Sequence, residues 1–167
     1  MAVDRKIATE SIQPVWPHLS DVDFRSAWRN YDLPSDTLMI YFGGRSVPAF
    51  SDFVESDESE TMYLRLDIHT NEVVGIQIEY FLMIVVPSRP ELHALLDGAR
   101  LNGLTLQELE DIAGLLGIDP RDQAEEASFE RVLERLLSDL KAGRAPLPHV
   151  VEPDQRVLAK VQRAVGF

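Results

Sequence analysis

The stretch Met62–Val86 (MYLRLDIHTNEVVGIQIEYFLMIVV) limits the possible folds more than any other part of the chain. Met62, Leu64 and Leu66 alternate with Tyr63, Arg65 and Asp67, which is the period of a strand with one buried face. His69-Thr70-Asn71-Glu72 reads as a polar turn. Val73–Tyr80 then alternates again, with Val74, Ile76 and Ile78 opposed to Gln77 and Glu79. Phe81–Val86 has no polar residue and reads as a continuation of the strand, buried on both faces or covered by a second subunit, until Pro87 ends it. The apolar part of this stretch is interrupted by Gln77 and Glu79 and is shorter than the roughly 20 residues that span a bilayer as a helix.

More strand signals precede it. Asp36–Phe42 (DTLMIYF) is rich in β-branched and aromatic residues. Gly43-Gly44 suits a two-residue hairpin, whose central positions take positive φ. Arg45–Phe53 would be the returning strand, and Pro48, which cannot donate to a ladder, puts it at a sheet edge. Upstream, Pro14 and Pro17 break any early helix. Ser20 and Asp23 resemble a capping box that opens a short helix from Asp21 to about Asn30, with Phe24 and Trp28 on one face, packed on the sheet.

The second half reads as helical. Ser88 and Pro90 open a helix with Leu92, Leu95, Leu96 and Ala99 as its stripe, stopped at Gly103. Thr105-Leu106-Gln107-Glu108 is a capping box for a second helix, with Leu106, Leu109, Ile112, Ala113 and Leu116 inward and Gly117 at its end. A third helix runs from about Asp122 to Ala142. Its stripe of Phe129, Val132, Leu133, Leu136, Leu137 and Leu140 is the strongest helical period in the chain. Ala145–Pro153 contains three prolines and reads as an extended linker to a last helix, Asp154–Val165. The expected fold is therefore α+β: a small antiparallel β-meander of about four strands followed by a packed helical subdomain. The divisions fall at 1–87, 88–144 and 145–167.

Composition narrows the chemistry. The 167 residues contain no cysteine, which excludes disulfides, thiolate metal sites and cysteine nucleophiles and fits a cytoplasmic location. The N-terminus lacks the apolar core of a secretory signal. A net charge of −12 opposes binding to phosphate backbones and anionic lipid. Phosphate-binding glycine loops, HExxH and GxSxG are absent. The four histidines, His18, His69, His93 and His149, are scattered without helical zinc spacing, and His93 falls off the apolar stripe of its helix, as a surface residue would. The acidic loop Ser51–Thr61 lacks the central glycine and closing glutamate of a calcium loop. No catalytic, cofactor-binding or metal-ligating residue is assigned. Glu79, between Ile78 and Tyr80 in an apolar strand, would be a candidate acid or base if buried, although strand alternation places it on the polar side.

Two blocks carry a resemblance. Tyr31–Phe42 (YDLPSDTLMIYF) and Asp67–Ile78 (DIHTNEVVGIQI) resemble the opening and closing motifs of DUF2283, a small bacterial family, over about residues 31–81. Gln77 stands where that family commonly has glutamate, and Asn71 stands where it has glycine. The resemblance implies a small β-meander and no particular activity.

The resulting expectation is a cytoplasmic, non-enzymatic interaction or regulatory module acting as a homodimer. Self-association would run through the Phe81–Val86 strand or through the C-terminal helix, which carries Arg156, Lys160 and Arg163 on one face. One alternative is a nucleic-acid-associated regulator using a degenerate helix-turn-helix at 104–126, in which Asp119, Asp122, Glu125 and Glu126 would oppose phosphates. Another is a hydrolase-like enzyme in which Glu79 or Asp67 meets His69 or His93.

Overall fold

The computed structural model describes residues 12–54, 60–118, 128–144 and 154–166. Six strands form one mixed sheet: β1 (Trp28–Asp32), β2 (Thr37–Tyr41), β3 (Ala49–Phe53), β4 (Met62–Asp67), β5 (Val73–Ile78) and β6 (Arg100–Asn102). Their order is β3-β4-β5-β2-β1-β6, antiparallel throughout except for the parallel pair β1–β6. The chain is thus α+β, with a larger and mixed sheet in place of the expected four-stranded meander.

The alternation read in Met62–Asp67 is realised residue by residue. Met62, Leu64 and Leu66 are buried, and Tyr63, Arg65 and Asp67 are half-buried. Leu38, Ile40, Ile76 and Ile78 continue that inner face across the sheet. Three helices contribute buried residues to the same core: α1 (Leu106–Leu115), α2 (Phe129–Lys141) and α3 (Gln155–Val165). All six apolar positions expected for the third helix are buried on α2. Val161 and Val165 of α3 join the same core, which runs from Phe24 through the sheet to Val165. Thr105, Ser128 and Asp154 cap the three helices through their side-chain oxygens, each satisfying an otherwise orphaned amide.

Several local expectations give way to tertiary pairing. Phe81–Val86 is not a strand. Phe81–Val85 is a π-helix that passes into a helical turn, Val86–Ser88. A short run of apolar residues has no period, so it does not distinguish a buried strand from a buried helical turn. Phe81, Leu82, Val85 and Val86 are fully enclosed by this chain's own core, so the run offers no strand for self-association.

The expected helix over Asp21–Asn30 is two isolated 3₁₀ turns, Leu19–Asp21 and Phe24–Ser26, followed by β1. Trp28 and Phe24 accordingly part: Phe24 meets Phe42 edge-on at 5.9 Å, and Trp28 meets Tyr41 at 5.6 Å. Gly43-Gly44 does not join two paired strands, because β3 crosses to the far edge and pairs with β4 alone. That edge position is the one Pro48 indicated. The helix expected after Ser88 is a 3₁₀ segment, Pro90–Leu96, and its remainder becomes β6 beside β1. Leu106, expected inward, is 71% exposed. Residues 119–127, which would hold the rest of the helix-turn-helix and the start of the long helix, lie outside the described residues, as do the core of the acidic loop (55–59) and the linker 145–153.

Candidate binding surface

The register of the strands composes the outer face of the sheet as two rows. The first runs Ser51–Arg65–Gly75–Tyr41–Trp28. The second runs Phe53–Tyr63–Gln77–Met39–Asn30–Arg100. The described helices join the core on the opposite face.

Arg65 organises the first row. Its Nε donates to the Tyr41 hydroxyl at 3.2 Å, one terminal nitrogen to Ser51 Oγ at 2.6 Å, and the other to the Ala49 carbonyl at 3.0 Å. Gly75 stands between Arg65 and Tyr41 and contributes no side chain to separate them. A Cβ there would overlap the Ile40 carbonyl and lie 3.0 Å from the Tyr41 ring. In the second row Phe53 and Tyr63 meet edge-on at 6.2 Å, and Gln77 Nε2 donates to Glu79 at 2.9 Å. Beyond them Asn102 Nδ2 donates to Asn30 Oδ1 at 2.9 Å. The result is a broad surface of aromatic rings and amides around one pre-positioned guanidinium. Tyr, Trp and Arg dominate protein–protein hot spots: the two-torsion aromatic rings bury large area with little entropy loss, and a guanidinium already held by hydrogen bonds has less freedom left to lose.

At one end this face adjoins an open cleft of about 320 Å³ between the Pro17–Asp23 segment, the end of β2 and the start of β5. Val15 pairs with Glu72 there and carries the N-terminal segment alongside β5. Pro17, Val22, Phe42, Val47, Val73 and Val74 give the cleft an apolar lining, and Asp21, Asp23, Arg45 and Glu72 stand around it. Tyr41 belongs to both the cleft and the Arg65 row.

The residues considered for acid–base chemistry are dispersed. Asp67 is a half-buried residue at the end of β4 whose Oδ1 accepts from the His69 and Thr70 amides at 2.8 and 3.0 Å, bonds that hold its carboxyl below the ordinary value. His69 is exposed beside it. Glu79 lies at the other end of the sheet, beyond β5. His93 corrects the expectation of a surface residue. Its Nε2 is buried without a hydrogen-bond partner among the described residues, and burial lowers its pKa against an opposing bond to the Leu109 backbone. Among the described residues, no group of three or more carboxylates and histidines is arranged to hold a metal. No helix among them is long and apolar enough to cross a membrane.

One buried carboxylate went unnoticed in the sequence. Asp36 is 4% exposed and accepts from the Tyr31 hydroxyl at 2.6 Å, the Leu82 amide at 2.9 Å and the Met83 amide at 3.1 Å. Its backbone carbonyl also accepts from the Phe81 amide at 3.0 Å. Asp36 therefore caps the π-helix from the turn before β2, supplying acceptors that the helix start lacks locally. Burial raises its carboxyl above the ordinary range, against the three donors that lower it. The legible signal was an aspartate at a strand start, five residues after a tyrosine, at a position whose φ of 50° suits Asp better than a branched residue.

Comparison with protein-family models, with curated proteins and with solved structures finds no match.

Proposed function

We propose that the chain is a non-enzymatic interaction module that binds a protein partner on the outer face of its sheet. The observation that carries this reading is the Arg65 row, in which one guanidinium is held by Tyr41, Ser51 and Ala49, with Trp28 against the far side of Tyr41 and the Phe53–Tyr63 pair in the neighbouring row. A surface whose anchors are already in position loses little entropy when it docks. The dispersal of Asp67, Glu79 and His93, and the exposed Glu110 and Asp111 on α1, favour this reading over the hydrolase and nucleic-acid alternatives. The DUF2283-like pattern of residues 31–81 is part of the same proposal: those residues supply four of the strands that build the face, and the resemblance carries no catalytic residue with it.

The test is a binding comparison with purified components. A partner recovered with the wild-type protein is titrated against wild type, Arg65→Ala, Trp28→Ala and, as a control on the helical side, Glu134→Ala. The expected result is a loss of about tenfold or more in affinity for the first two variants and none for Glu134→Ala. Equal affinity across all four would refute the assignment of the face. A substrate turned over by the isolated chain, with loss on Glu79→Gln or Asp67→Asn, would overturn the non-enzymatic reading.

A further inference from the structure

The helical side carries a charge pattern independent of the sheet face. α3 contains Arg156, Lys160 and Arg163 and no acidic residue, in a chain whose net charge is −12. The spacing of four and three sets the three cations along one stripe, and all three are exposed. None of them pairs with a carboxylate of a described residue, and Arg163 Nε donates to the Ala159 carbonyl of its own helix at 3.4 Å. α3 packs directly beside α1. The exposed side of α1 carries Glu110 and Asp111, together with Leu106 at 71% exposure and Gly114, where an added Cβ would meet nothing within 4 Å. Two neighbouring helices thus present opposite charge outward, with small or apolar positions (Gly114, Ala159, Leu106) among the charges.

We infer that this α1–α3 surface joins two copies of the chain about a two-fold axis. The cationic stripe of one copy lies on the Glu110–Asp111 face of the other. A two-fold axis that forms one such contact forms its reciprocal, so every pairing is made twice from a single patch. The occupant follows from charge. An acidic protein whose basic stripe adjoins an acidic helix finds its complement in a second copy, and like-charged registers are rejected by the same residues. The alternating sign also separates this surface from a phosphate-binding one, where Glu110 and Asp111 would repel the ligand.

The test uses the full chain and its mass in solution by sedimentation velocity. The wild type is expected at twice 18.8 kDa. Reversing α3 (R156E/K160E/R163E) and, separately, reversing α1 (E110K/D111K) is expected to weaken association by about 30-fold or more, giving monomers. Far-UV circular dichroism is expected to be unchanged, since every altered side chain is exposed. The decisive arm mixes the two monomeric variants. Each then presents to the other the complement it lacks toward itself, and a heterodimer is expected. A wild type that stays at 18.8 kDa up to about 100 µM, a range that covers weak transient contacts, overturns the inference. So does a dimer that survives both reversals, or a mixture that stays monomeric.

Discussion

Removing Asp36 tests how a single buried carboxylate holds the π-helix against the sheet. In Asp36→Ala, the Tyr31 hydroxyl and the Leu82 amide lose their acceptor in the interior, while the half-buried Met83 amide can turn to water. Each buried donor left unsatisfied costs about 1–3 kcal/mol. Alanine at the φ of 50° adds about 1 kcal/mol. The expected loss is therefore about 3–7 kcal/mol, a large part of the roughly 5–15 kcal/mol that stabilises a typical domain. Asp36→Asn keeps the left-handed backbone and one acceptor oxygen, but its NH₂ faces one of the donors, so its loss should be about 1–2 kcal/mol. Urea unfolding followed by circular dichroism gives both values from the shift in midpoint. Amide exchange at Leu82 and Met83 reports whether the π-helix loosens first. An Asp36→Ala variant within about 0.5 kcal/mol of wild type, the range of an ordinary surface change, would refute the capping account. So would an Asp36→Asn variant as damaged as Asp36→Ala.

Two pH dependences and two packing changes extend the test. His93 has a folded pKa lowered by burial, so the stability it contributes is present above its ordinary value of 6.5 and is lost as pH falls from there toward the folded value; thermal melts of His93→Phe should show a flatter profile over that window than wild type. Asp36 has a folded pKa raised by burial, so its contribution is full below its ordinary 3.8 and is lost as pH rises through the folded value; Asp36→Asn should compare least unfavourably with wild type at neutral pH and most unfavourably in acid. Gly75→Ala forces a Cβ against the Ile40 carbonyl and should cost about 3 kcal/mol by parting β2 from β5, measured by urea unfolding. Ile112→Ala should cost about 2–5 kcal/mol, whereas Leu106→Ala on the same helix should stay within about 0.5 kcal/mol in the monomer; a similar loss for both would show that Leu106 is packed.

What the sequence revealed followed the strength of its period. β4 and the α2 stripe repeat cleanly over several residues, and each occurs with the burial that its spacing implies. Where the pattern was brief or absent, tertiary contacts decided. Trp28–Asp32 looked helical because Phe24 and Trp28 are four apart, yet pairing with Thr37–Tyr41 makes it a strand. Phe81–Val86 has no polar residue to phase it, and its helical form depends on Asp36, 45 residues before Phe81 and invisible to any local window. β6 is three residues inside a helical pattern, drawn out by the parallel edge of β1. The candidate face was half legible: Tyr63 and Arg65 were read on one face of their strand and Gln77 on the polar side of the next, but the alignment of Arg65 with Tyr41 and Trp28 needed the strand order, in which β5 pairs with β2 rather than β2 with β3.

The most direct measurement of the central claim is site-specific photo-crosslinking in the cell of origin. A benzophenone side chain is placed at Phe53 or Met39 on the outer face of the sheet, and at Glu134 on α2 as the control. The expected result is one defined adduct from both face positions and none from Glu134, with the adduct lost when Arg65→Ala is added and the purified partner binding wild type but not that variant. No adduct from the face, or the same adduct from Glu134, would contradict the account.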